Sequence, residues 1–144
     1  MKTMLIDIPE ECVAYNLLKT ARHLAAFYRK TIAPSGLQGS QFPQLLAIKL
    51  AQPVSVSRLA QTLELDRTTL SRNLKRLQDK EYIIMSTTDD RRIRNVSLSD
   101  YGEETLQTAL PLWNDAQQTI IDQFGEENRK TMLKNLKKIE QIIS

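Results

Sequence analysis

Between Pro9 and Ala33 the apolar positions Val13, Leu17, Ala21, Leu24, Tyr28 and Ile32 recur every three or four residues. At 3.6 residues per turn such positions stack on one side, so the spacing predicts a long amphipathic helix. Pro34, Ser35 and Gly36 end it. Gln41 to Leu50 (QFPQLLAIKL) predicts a second, more buried helix, with Pro43 tolerable because it falls in the first turn. Two more helical patterns follow almost without a gap. The first carries Val56, Leu59, Ala60 and Leu63; the second starts at Arg67 and carries Leu70, Leu74 and Leu77. Glu64, Leu65 and Asp66 turn the chain between them. Asp66 is placed to cap the second helix, and Leu65 to staple against Leu70. Two short helices joined in this way make a helix-turn-helix.

After Glu81 the period shortens. YIIMST (Tyr82 to Thr87) and IRNVSL (Ile93 to Leu98) are rich in β-branched residues and predict two strands around a polar tip, TDDRR. A hairpin directly after a helix-turn-helix is a wing. Ser99 then caps a helix from Asp100 towards Phe124, carrying Leu106, Leu110, Trp113, Ile120 and Ile121, with a kink expected at Pro111 and a stop at Gly125. Glu126 to Ile143 places Met132, Leu136, Ile139 and Ile143 on one stripe. The predicted fold is mainly α with a small β-hairpin wing, a single module over 1–144. Residues 40–98 form its winged helix-turn-helix part, and 9–33 and 100–144 are terminal dimerisation helices. Their apolar stripes exceed what a small winged domain can cover, so a partner chain is expected.

Composition narrows the function by exclusion. The 144 residues include only four Gly and five Pro, which suits helix. No apolar run approaches the ~20 residues of a membrane span, and MKTMLIDIPEE has too short an apolar core for a signal peptide, so a cytoplasmic protein is expected. One cysteine, Cys12, and one histidine, His23, exclude an internal disulfide and argue against a zinc site within the chain. On one helix they would lie roughly 16 Å apart, too far for a nucleophile and its base. With no phosphate loop or hydrolase motif either, neither an enzyme nor a bound cofactor is expected. The net charge is +3, and all of it falls between Arg58 and Arg94, where nine bases face six acids. Such local excess is what a phosphate-facing surface requires.

The helix from Arg67 shows where that surface lies. Opposite its leucines stand Thr68 and Arg72, flanked by Lys75 and Arg76, with Arg67, Thr69 and Ser71 at the edges. An ordinary soluble face would mix Glu and Lys. Arginine can instead grip guanine O6 and N7 in a bidentate fork, and the short hydroxyl side chains let the helix approach base edges. In the wing, Arg91, Arg92 and Arg94 can reach the adjacent minor groove or backbone, with Asp90 holding an arginine extended. The charge would equally suit an acidic protein partner, so a winged-helix interaction module is the alternative reading.

LAQTLELDRTTLSRNLKRLQDKEYI, the wing DDRRIRNVSLSDYG and the earlier GLQGSQFPQLL together resemble the MarR family of bacterial winged-helix regulators. The family's wing pattern, Asp-x-Arg followed by Leu-Thr-x-x-Gly, is matched by Asp90, Arg92, Leu98 and Gly102, with Ser99 in place of threonine. The resemblance implies a homodimer built by the terminal helices, bound to double-stranded DNA at a pseudo-palindromic operator. It also implies repression relieved by a small phenolic ligand or an oxidant. By it Thr68, Thr69, Ser71 and Arg72 face bases and Arg92 enters the minor groove. The peroxide-sensing branch of the family has a reactive cysteine near the start of the first helix, which makes Cys12 a candidate redox sensor with Tyr15 and Tyr28 as candidate partners.

Overall fold

The structure, a computed structural model, describes residues 4–144. Its first elements are a 3-10 turn at Leu5–Asp7, a one-turn helix α1 (Ile8–Glu11) and the long helix α2 (Val13–Ile32). The helix predicted from Pro9 is therefore broken at Cys12, which leaves helical geometry at φ −75°, ψ 117°. Local polar bonds account for the break. The Cys12 sulfur accepts from the Tyr15 N–H at 3.5 Å, and the Asn16 side-chain amide donates to the carbonyls of both Pro9 and Cys12 at 2.9 Å. A side chain that competes for backbone carbonyls in this way offers the chain an alternative to continuous helix.

A second 3-10 turn, Ala33–Ser35, ends at Gly36, whose φ of 93° lies in the left-handed region that glycine enters freely. Then come α3 (Gln41–Ala51), a short strand β1 (Val54–Ser55), α4 (Val56–Leu63) and α5 (Arg67–Asp79). Glu64, at φ 53°, closes α4 by donating its N–H back to Ala60 and Gln61. Leu65 and Leu70 both join the core beneath the turn. β2 (Ile83–Thr87) and β3 (Arg94–Leu98) form the predicted hairpin, pairing Ile83 with Leu98 and Met85 with Val96. β1 adds a third antiparallel strand, in the order β1-β3-β2. Two residues are too short a run for alternation to reveal, so the sequence predicts the hairpin alone.

The long helix α6 (Asp100–Phe124) runs unbroken through Pro111, and α7 (Glu126–Ile143) closes the described chain. Pro111 is exposed within this continuous helix, where it lacks the N–H that another residue would donate. The core lies beneath the helix-turn-helix and sheet, where Leu45, Ile48, Leu59, Leu70, Leu77, Val96 and Leu106 are fully buried. α2 packs along α6, and the Tyr28 hydroxyl donates to Gln117 Oε1 at 2.6 Å. Burial raises the Tyr28 pKa above its ordinary value. α7 buries none of its residues, and Val13, Leu17 and Leu18 of α2 stand exposed with Met132, Leu133, Ile142 and Ile143 of α7.

Candidate nucleic-acid interface

α5 turns Leu70, Leu74 and Leu77 into the core and so presents Arg67, Thr68, Ser71, Arg72, Lys75 and Arg76 to solvent. Asp66 caps it as expected: its carboxylate accepts from the Thr69 N–H at 2.8 Å and from the Thr69 hydroxyl at 2.7 Å. The backbone bond, then the hydroxyl bond, holds the Asp66 carboxyl below the usual carboxylate range. Thr69 is half-buried and its hydroxyl is committed to the cap, which sets it apart from the free Thr68 and Ser71.

In the wing, Asp90 organises Arg92. Its Oδ1 accepts from the Arg92 backbone N–H at 3.0 Å and from Nε at 3.2 Å, while Oδ2 accepts from an Nη at 3.4 Å. The same bonds, backbone first, lower the Asp90 pKa. The Arg92 side chain nevertheless stays 91% exposed, so it is aimed and not buried. The tip is closed by the Thr88 N–H donating to the Ile93 carbonyl, and by the Ile93 N–H and the Thr88 hydroxyl both donating to the Asp90 carbonyl.

Between α5 and the wing lies a groove of about 590 Å³, into which Arg67, Lys75, Arg92 and Arg94 all face. Ser71 shares its wall, and no carboxylate lines it among the described residues. Thr68 and Arg72 border a shallower hollow on the outer side of α5, together with Arg67, Ser71 and Lys75. Arg76, Arg91 and Asp90 line neither. Sequence reasoning missed Ser55 and Ser57, which bring the start of α4 to the same groove, and Gln78 and Met85. The one available signal was Ser55 as the cap of α4, where its hydroxyl accepts from the Arg58 N–H at 3.2 Å. Cations converging on a concavity beside an exposed, hydroxyl-bearing helix form a surface for a polyanion with readable edges.

Residues 35–93 match the model of the MarR family. Over 100 residues, 69% of this chain and 67% of the relative, the sequence is 32% identical to an uncharacterized HTH-type transcriptional regulator of Bacillus cereus. The chain belongs to the MarR family. Among solved structures, this MarR-family chain is similar to the M. tuberculosis transcriptional regulator MosR in complex with DNA. The TM-score there is 0.78 at 29% identity, over 92% of this chain and 98% of MosR. The fold is also that of the transcriptional repressor CouR bound to p-coumaroyl-CoA, with a TM-score of 0.86 at 21% identity over 96% and 98% of the two chains.

Away from the groove, the MarR-family chain has a second cavity of about 540 Å³ between α2, α3 and α6. Tyr28, Ile32, Phe42, Leu46 and Trp113 supply apolar walls, and Arg29 stands at its edge as the cation of the lining. Cys12 is remote from both cavities in the chain's fold, half-buried at the joint between α1 and α2. It meets Tyr15 only through the backbone bond already described, and Tyr28, four turns further along α2, is committed to Gln117. Among the described residues no cluster of His, Cys, Asp and Glu could hold a metal ion, and no helix is long and apolar enough to cross a membrane.

Proposed function

We propose that two copies of this chain form a homodimeric repressor that binds a pseudo-palindromic DNA operator, with α5 reading bases in the major groove and the wing reaching the minor groove. The observation that carries the reading is the groove into which Arg67, Lys75, Arg92 and Arg94 converge without a lining carboxylate. A duplex backbone passing between a helix in the major groove and a wing in the minor groove would lie along it. Thr68, Ser71 and Arg72 then face base edges, and Thr69 supports them through the cap. The exposed apolar residues of α2 and α7 are the surface a second copy would cover, and a two-fold dimer presents two reading helices to two half-sites.

Selection of bound sites from random duplex, followed by titration at several salt concentrations, tests this. A preferred palindromic site and a steep linear fall of log affinity with log salt are expected. Equal affinity for every duplex would remove base reading, and no binding at low salt would overturn the function.

Release by a small aromatic ligand finds its support in the second cavity, whose apolar walls suit a phenolic ring and whose Arg29 suits a carboxylate. Bound aromatic carboxylate should change Trp113 fluorescence and lower operator affinity together. Release by an oxidant would instead act through Cys12. Peroxide titration of wild type and Cys12→Ser on operator DNA separates the two routes, because only oxidation of Cys12 would make the two proteins differ.

A further inference from the structure

β3 is the central strand of the sheet and the return limb of the wing, yet its pairing with β1 covers only Val54 with Val96 and Ser55 with Asn95. Extending that register by two residues would set Pro53 opposite Ser97 and Gln52 opposite Leu98. Pro53 has no N–H to offer. Gln52 is the C-cap of α3, its own N–H donating to the Ile48 carbonyl at 2.8 Å. The backbone ladder stops there, and the Gln52 side chain continues it: the Leu98 N–H donates to Gln52 Oε1 at 2.8 Å. At the other end of the amide, Nε2 donates to Glu103 Oε1 at 3.1 Å, and Lys49 Nζ donates to the same oxygen at 2.8 Å. A carboxylate only accepts and a backbone N–H only donates, so one orientation of the amide satisfies both. One side chain thus ties the end of α3, the root of β3 and the first turn of α6.

We propose that Gln52, oriented by Glu103, is a positioning residue for the wing, setting the angle at which the β2–β3 hairpin carries Arg92 and Arg94 beside α5. The inference rests on the reading that the wing touches the duplex. Its physical basis is leverage. Leu98 is separated from Arg94 by about 13 Å of extended strand, with Arg92 in the turn beyond it, so a tilt of about 10° at the root moves the end of the strand by about 2 Å, more than a hydrogen bond tolerates.

Double-mutant cycles on the selected operator duplex test the role. Gln52→Ala is expected to weaken operator affinity about fivefold, to add nothing in an Arg92→Ala/Arg94→Ala background, and to multiply with the loss from Arg72→Ala, because only the wing contact depends on it. Gln52→Glu sets two carboxylates together and should weaken binding as well. Combining it with Glu103→Gln exchanges donor and acceptor and should restore affinity. Should Gln52→Ala fail to fold, Glu103→Ala removes the same anchor from the α6 side and takes its place in the cycle. Unchanged affinity for Gln52→Ala alongside a weakened Arg92→Ala/Arg94→Ala overturns the proposal, as does a loss that multiplies with Arg92→Ala/Arg94→Ala, which is the mark of a purely structural residue. An inert Arg92→Ala/Arg94→Ala is a different failure: it removes the wing contact from the proposed function and this inference with it.

Discussion

Arg72 sits at the centre of the α5 face opposite the buried leucines, exposed and without an ion-pair partner among the described residues. Its guanidinium is therefore available to a base edge, and Arg72→Ala is expected to cost about 1–3 kcal/mol on the preferred site and much less on random duplex. Equal losses on both would make it a phosphate contact. Arg92 differs in being pre-aimed by Asp90. Arg92→Ala should weaken operator binding while stability stays within about 0.5 kcal/mol, since an exposed tip arginine supports little of the fold. Calorimetry and fluorescence anisotropy on the same preparation measure the two effects. Asp66 adds a pH dependence. Its folded pKa is depressed, so its contribution to stability is complete above the ordinary carboxylate value and is lost as pH falls through the folded one. The stability gap between wild type and Asp66→Ala should accordingly be widest near neutrality and close in acid, as read from urea midpoints at a series of pH values.

At the scale of elements, the decisive joint is where α6 begins. The Ser99 N–H donates to the Tyr82 carbonyl at 3.0 Å, the Ser99 hydroxyl donates to the Glu81 carbonyl, and the Gly102 N–H donates to the Ser99 hydroxyl oxygen at 2.9 Å. Gly102 faces the Tyr82 backbone so closely that a Cβ would run into its carbonyl oxygen. The first turn of α6 is thereby pressed onto the segment that leaves α5, with Tyr82 stacked on Tyr101 at 5.3 Å beside it. Gly102→Ala must push backbone from backbone, and a loss of about 1–3 kcal/mol is expected, with a lowered urea midpoint. A variant as stable as wild type would show that the joint can yield. The glycine was legible as part of a family pattern; its reason, a close approach, was not.

For the whole molecule the uncovered apolar face governs behaviour. α7 fully buries none of its residues within its own chain, with Leu136 and Ile139 only half-buried, so the proposed partner copy accounts for the rest of its stripe. Deleting Lys130 to Ser144 should expose the surface of α6 that α7 faces, remove the proposed cover of the partner copy, and yield aggregates or monomers that bind operator weakly, because a monomer loses the doubled contact of two half-sites. Sedimentation and operator titration report this directly, and a soluble truncated protein that binds tightly would contradict the dimer.

What the sequence determined by itself is whatever repeats locally. The leucines of α5 recur at helical spacing, which settles both the buried face and the face opposite it before any tertiary contact exists. The Asp66 cap lies three residues from the amide it satisfies, and the charge excess is a property of one contiguous segment. Tertiary structure alone decided the rest, because the partners lie far apart in the chain. β1 has meaning only as the edge beside Val96, Gln52 meets Leu98 across 46 positions, and Tyr28 meets Gln117 across 89. Ser55 and Ser57 join the arginines of the wing only once α4, α5 and the hairpin have packed. A groove or a cavity has no period to read, since it is the space left when elements that are distant in sequence come to rest against one core.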